Sequence, residues 1–320
     1  MSALILDIFL LHAYNRPNLL RCAVSYNLEE RMQRITHVGY DVDFTWIDWL
    51  RAHGLTAAAP VLQLALPHLA VEEIAAQMDR LSMALLTGGP EIRLQTTRRV
   101  NAAFARHVRS NARPGYGPPN ECLWSQLSKS SLVCDENGVD PSKHYLTLVA
   151  AEHAFWKGVG ENTQLYGDTA ETIQMLRDAG MKMFALTSSD ALVSLHPGTV
   201  QRPGSHPYYS APNARKMKLA RIGMSGLLEV FPEGDVIVCD PWHKEDLEVW
   251  NNRVFPRFPE ATDRRCWAFV GDSRYDMVAA YKAGIGTRIF LNRHDLPMPE
   301  EANYLVYSLK QAADLILSLV

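Results

Sequence analysis

The chain reads as an α/β protein built on a parallel sheet, and three observations predict this. Short apolar runs at 35–40, 181–186, 235–239 and 266–270 each lead into a residue able to do chemistry. A helical stretch at 275–283 closes on Gly284 and is followed by another apolar run, 285–291, giving a strand-helix-strand unit. With 320 residues, the chain is long enough for such a core and an insertion besides.

From the amino end, residues 1–11 read as a strand carrying Asp7, with Phe9 two places later. Asp7 interrupts the apolar run and no basic start precedes it, so a secretory leader is not expected. The run 35–40 leads into Asp41-Val42-Asp43-Phe44-Thr45, a D-x-D-x-T pattern at a strand end. Alternation along a strand lets Asp41 and Asp43 face the same way and reach one cation. Two carboxylates so placed repel unless a metal or a proton lies between them. The plainer alternative is a polar loop that happens to carry two acids.

The interval that follows is too long for a loop and rich in helical spacing, as at 71–81, where apolar residues recur three and four apart. It divides the chain into a core of 1–45 and 164–320 and an inserted unit of 46–163. Arg93, Arg98, Arg99, Arg106, Arg109 and Arg113 form a basic stretch, either a solvated helical face or a contact for phosphate. Residues 113–119, rich in Pro and Gly, break that helix. Trp124, Phe155, Trp156 and Tyr166 are either core or a stacking surface for a nucleobase.

The run 181–186 ends in Thr187-Ser188-Ser189, and residues 196–212 read as a surface loop near the site rim or in a dimer contact. The run 235–239 passes through Asp240 to Lys244. A Thr after a strand is commonly a turn residue and a lone Lys commonly a solvated charge, so these two gain weight from their order. Finally, 266–270 enters Gly271-Asp272-Ser273-Arg274-Tyr275-Asp276, two acids four residues apart at a strand-to-helix junction. Acids there either hold a metal or cap the helix. Residues 309–319 read as a closing amphipathic helix.

Acid pair, hydroxyl, lysine and second acid pair, in that order from Asp41 to Asp276, resemble the haloacid dehalogenase (HAD) superfamily of phosphohydrolases. The lead-in Ser25-Tyr26-Asn27-Leu28 with 35–45 resembles its cytosolic purine 5′-nucleotidase branch, as does 236–240 with Lys244 shortly after; Trp46 stands where a Leu is usual. The resemblance implies a Rossmann-like core, with the insertion as a helical cap that covers the site and selects substrate. It also implies a Mg²⁺-dependent phosphomonoesterase, a 5′-nucleotidase hydrolysing nucleoside 5′-monophosphates. Asp41 would be the nucleophile and Asp43 the acid and base. Asp41, the backbone carbonyl of Asp43 and Asp272 would ligate Mg²⁺, with Asp276 a further ligand or an acceptor for its waters. Thr187, Lys244 and the Ser188 amide would hold phosphoryl oxygens, and Thr45 belongs with the substrate contacts.

Three alternatives stand beside this. The substrate is a sugar phosphate or another small biosynthetic ester; the chain is a catalytically silent nucleotide-binding regulator; or it is a metal-free haloacid dehalogenase using Asp7. Against the last, Leu10-Leu11 replace the Gly-Thr expected after Phe9, and such an enzyme has no use for Asp272 and Asp276. Composition is that of a globular protein, 47% hydrophobic and 21% charged, with no apolar run near the roughly 18 residues of a membrane helix. A net charge of −3 argues against broad nucleic-acid binding. Cys22, Cys122, Cys134, Cys239 and Cys266 show no C-x-x-C spacing, which fits free thiols in a reducing cytoplasm. The expected partner is therefore a small phosphate ester, not a nucleic acid polymer or a membrane, with self-association left open.

Overall fold

Residues of period two build the centre of the molecule. The computed structural model describes residues 34–48, 50–86, 90–109, 126–188, 211–239 and 244–320. The expectations for Asp7, residues 25–28, Cys22, Cys122, residues 113–119, Trp124 and Asp240 lie outside them, as does the loop reading up to 210. The strands are β1 (His37–Tyr40), β2 (Ile47–Asp48), β3 (Gln164–Leu165), β4 (Lys182–Thr187), β5 (Val236–Val238), β6 (Trp267–Gly271), β7 (Thr287–Leu291) and β8 (Tyr304–Val306). Six of them form one sheet in the order β5-β4-β1-β6-β7-β8, every pair parallel. β2 and β3 pair antiparallel in a separate two-stranded ribbon.

Side chains of the central strands divide between the two faces as alternation requires. Val38, Tyr40, Met183, Ala185, Ala268 and Val270 join one buried cluster, Phe184, Leu186, Trp267 and Phe269 another. Helices α1 (Arg51–Leu62), α2 (Val71–Leu86), α3 (Pro90–Arg109), α4 (Gln126–Glu136), α5 (Tyr145–Glu161), α6 (Thr169–Asp178), α7 (Ala211–Met224), α8 (Arg274–Lys282) and α9 (Leu309–Ser318) complete the framework. α6, α7 and α9 add Ile173, Leu176, Ile222 and Ile316 to the first cluster, and α8 adds Met277 and Ala280 to the second. Gly39 sits between rings: a Cβ there would lie 2.3 Å from Phe184 and 2.6 Å from Phe269, so the centre of β1 has no room for a side chain.

Helices α1 to α5 share a third core, with Leu62, Ile74, Met78, Val100, Leu127 and Phe155 among its buried members. α4 is buried from Gln126 to Cys134, the polar residues included, and only its last two residues are exposed. Among the described residues no helix is long and apolar enough to cross a membrane.

Several boundaries differ from the sequence reading. Thr187 is the last residue of β4 rather than the first beyond it. Ala211 and Pro212, expected in a loop, open α7, where an early Pro removes only an N–H that would be unsatisfied anyway. The helix expected over 275–283 starts at Arg274, because Ser273 caps it. β8 has no counterpart in the sequence reading; it is three residues long and only Val306 is buried.

Candidate active site

The chain runs from β1 through β4 to β5 on one side of the sheet, then returns to β6 on the other side of β1. The carboxyl ends of β1 and β6 therefore flank a topological switch point, the place where open α/β sheets form their crevice. Asp41 follows β1 and continues its ladder, its N–H donating to Val270 O at 2.9 Å. Asp272 follows β6, and Asp276 lies in the first turn of α8.

Carboxylate oxygens of Asp41, Asp272 and Asp276 all lie within 4.8 Å of one another. Asp276 is fully buried, Asp41 nearly so, and Asp272 is the most exposed of the three at 9%. The capping expectation for the second acid pair is met at Asp276. Its Oδ2 accepts from Ser273 N (3.1 Å) and Ser273 Oγ (2.6 Å) in a capping box, which leaves Oδ1 for the centre. Gly271 is needed for this turn, since a Cβ there would come within 2.5 Å of Asp276 Cβ and 2.8 Å of its Oδ2. Thr45 Oγ1 lies 3.5 Å from Asp272 Oδ1, a contact at the limit of a hydrogen bond.

Lys244 brings the local positive charge. Its Nζ donates to Asp41 Oδ1 and, at 2.8 Å, to Asp276 Oδ1, and Trp250 Nε1 pins its backbone carbonyl at 2.8 Å. Burial, then the charge of Asp276, pushes the Asp41 carboxyl up to about 7 against the pull of Lys244. Burial, then Asp41 and Asp276, raises Asp272 in the same way. Burial pulls the Lys244 amine down, but Asp276 and Asp41 outweigh it and hold the amine charged. Three buried acids against one lysine leave an excess of hard oxygen donors, the set that suits a small divalent cation such as Mg²⁺.

Asp43 departs from the same-face expectation. Its carboxylate is not part of the acid cluster; it is held by Lys218 and, at 2.5 Å, by Arg221, both from α7 and both buried. The physical reason is a turn. Trp46 and Ile47 N–H groups both donate to Val42 O (2.9 and 3.1 Å), and Phe44 takes a φ of 56°, so strand alternation has ended by Asp43. Burial would raise the Asp43 carboxyl, but Arg221 and Lys218 outweigh it and keep it well below the usual carboxylate range.

Thr187 is buried at the end of β4, beside β1, with its Oγ1 3.4 Å from Ser188 O, and Ser188 is exposed. Elsewhere, Arg98 and Arg99 are exposed on α3, and Arg99 is ion-paired with Glu136. Phe155 belongs to the helical core. Tyr166 has the Arg293 guanidinium 3.7 Å from its ring centroid.

Sequence reasoning missed Lys218, Arg221, Arg293 and Asp168. Arg293 donates to Thr45 O (3.3 Å) and Asp168 (3.2 Å), and Asp168 accepts from Leu309 N (2.8 Å), tying the first acid loop to α9. The i, i+3 spacing of Lys218 and Arg221 was a visible signal that one helical face carried two cations. No such spacing marks Arg293 or Asp168.

No protein-family profile matches the chain, and no curated protein does. Solved structures do match, and the neighbours are HAD-superfamily hydrolases. A HAD-hydrolase candidate from Bacillus subtilis, YfnB, bound to magnesium, is 17% identical with a TM-score of 0.54, over 88% of this chain and 99% of that one. A HAD phosphatase from Thermococcus onnurineus is 16% identical (TM-score 0.49, 88% of this chain, 98% of that one). An L-2-haloacid dehalogenase from Xanthobacter autotrophicus, with chloropropionic acid covalently bound, is 14% identical (TM-score 0.49, 89% and 100%). At such identities the likeness, carried by the first of these, is one of fold: a HAD-like α/β core.

Proposed function

We propose that the chain is a Mg²⁺-dependent phosphomonoesterase that works through an aspartyl-phosphate on Asp41, with nucleoside 5′-monophosphates as its substrates. The observation that carries the chemistry is the cluster of Asp41, Asp272 and Asp276 beside Lys244 at the switch point. Asp41, Asp272 and Asp276 would hold the ion together with the Asp43 carbonyl. The ion supplies charge that screens the phosphoryl oxygens and lets an anionic nucleophile approach.

A carboxylate oxygen of Asp41 forms a bond to phosphorus as the ester P–O bond breaks, and the leaving alkoxide takes a proton from Asp43. In the second step Asp43 accepts a proton from water, whose oxygen bonds to phosphorus. The acyl-phosphate bond breaks, freeing inorganic phosphate and restoring Asp41. Lys244 and Thr187 hold phosphoryl oxygens through both steps. With Lys218 and Arg221 against it, Asp43 is set as a base; protonating a leaving group requires those cations to loosen.

The nucleotide substrate rests on the resemblance of residues 35–45 to the purine 5′-nucleotidase branch, and the helical unit of α1 to α5 takes the role of the selecting cap. A reducing, cytoplasmic setting fits Cys134 and Cys266, both free thiols. Phosphate release from a panel of nucleoside monophosphates and sugar phosphates tests the substrate. A preference for one nucleotide supports the reading, and a flat profile defeats the nucleotide half of it. Chloride release from 2-chloropropionate that survives EDTA would replace the phosphatase reading with the dehalogenase one.

A further inference from the structure

The amino ends of β4 and β5, opposite the acid cluster, border a cavity of about 350 Å³. Lys182 opens β4, and β5 begins directly after Asp235; both residues line it. Five residue steps along β4 at roughly 3.3 Å each put this cavity about 16 Å from Thr187, so the two sites do not overlap. Its volume is in the range of small-molecule sites.

Its charges distinguish it from a surface dent. Arg177, Lys182 and Arg257 line it; none has a carboxylate within 4.0 Å among the described residues, and the charge of Asp235, also in the lining, bears on Arg257. Both guanidinium groups are pre-set by backbone carbonyls: Arg177 donates to Val230 O at 3.1 Å and Arg257 to Gly234 O. A guanidinium so held keeps further N–H donors for a ligand. Phe231 and Phe258 give the cavity apolar walls, while Asp235 and Glu260 supply acceptors. Behind Glu260, the Nε2 of His37 is buried with no hydrogen-bond partner and stands 4.0 Å from that carboxylate.

We propose that this cavity is a second ligand site, for a small phosphorylated metabolite. Two guanidinium forks and an ammonium match a phosphate dianion better than a monoanionic carboxylate. The aromatic walls take the apolar body of the ligand, and Asp235 and Glu260 accept from its hydroxyl or amino groups. Nothing in this assignment uses Asp41 or its partners, so it stands or falls separately from the phosphatase reading.

The test is calorimetric titration of the full-length chain in EDTA with inorganic phosphate, and with acetate as the monoanion comparator. The Arg177→Ala/Arg257→Ala double variant removes two exposed side chains and is expected to fold, which its melting curve checks. Phosphate should bind saturably and more tightly than acetate, and at least tenfold more weakly in the double variant. Binding that the double variant leaves intact, or no saturable phosphate binding, overturns the assignment.

Discussion

Replacing Lys129 with Met should stabilise the protein, and the size of the gain follows from where the amine sits. Lys129 is 4% exposed in α4, and its Nζ donates to Ser82 Oγ at 3.2 Å. Both carboxylate oxygens of nearby Glu152 are engaged by the N–H groups of Gln126 and Leu127, at 3.2 and 3.3 Å. Burial, then the charge of Arg51, pushes the Lys129 amine down from 10.5 to about 8. The native state therefore binds this proton more weakly than the unfolded chain does. Between about pH 8 and 10.5 the unfolded chain holds more protons, so this residue's contribution to stability rises with pH across that window. Below it the full cost applies: roughly 2.5 pH units at 1.36 kcal/mol each, or about 3 kcal/mol. Ser82 keeps its own bond to Met78 O (3.0 Å), so Lys129→Met strands no donor. Urea unfolding followed by tryptophan fluorescence should show a gain of about 3 kcal/mol at pH 7, shrinking to about 1 kcal/mol at pH 9.5. A variant no more stable than wild type at pH 7, or a gain that does not shrink with pH, refutes the reasoning.

Four further outcomes are expected. Gly271→Ala forces a methyl group against Asp276 and should lower stability by about 1–3 kcal/mol while abolishing any thermal stabilisation by Mg²⁺, both read from melting curves with and without the ion. Asp272→Asn relieves the crowding of three acids, so the metal-free protein should melt higher than wild type and lose its response to Mg²⁺. Trp46→Ala empties a fully buried site packed against Tyr40 and Phe231, and chemical denaturation should register a loss of about 3–5 kcal/mol. Lys218→Met or Arg221→Met removes a cation that holds Asp43 ionised, so its carboxyl rises and the limb of the pH-rate profile that Asp43 sets as proton donor should move to higher pH.

Much of the sheet was legible because its strands are short, apolar and bounded. Residues 35–40, 181–186, 235–239 and 266–270 overlap β1, β4, β5 and β6, and the polar residues after them lie along one edge. β8 was not legible, since a three-residue strand with one buried side chain carries no pattern; pairing with β7 makes it a strand. The acid cluster could be anticipated from Asp41, Asp272 and Asp276, each placed by a strand end or helix start. Asp43 could not, because its partners come from α7, some 175 residues away in sequence, and only packing brings Lys218 and Arg221 to it. Asp168 and Arg293 show the same limit: 125 residues apart, they meet through the fold.

The most direct measurement is phosphate release from a nucleoside monophosphate by wild type and Asp41→Asn, each with Mg²⁺ and with EDTA. Release by wild type that needs Mg²⁺ and disappears in Asp41→Asn is the expected result. Release that persists in EDTA or in Asp41→Asn, or none from wild type on any ester, would contradict a metal-assisted phosphatase acting through Asp41.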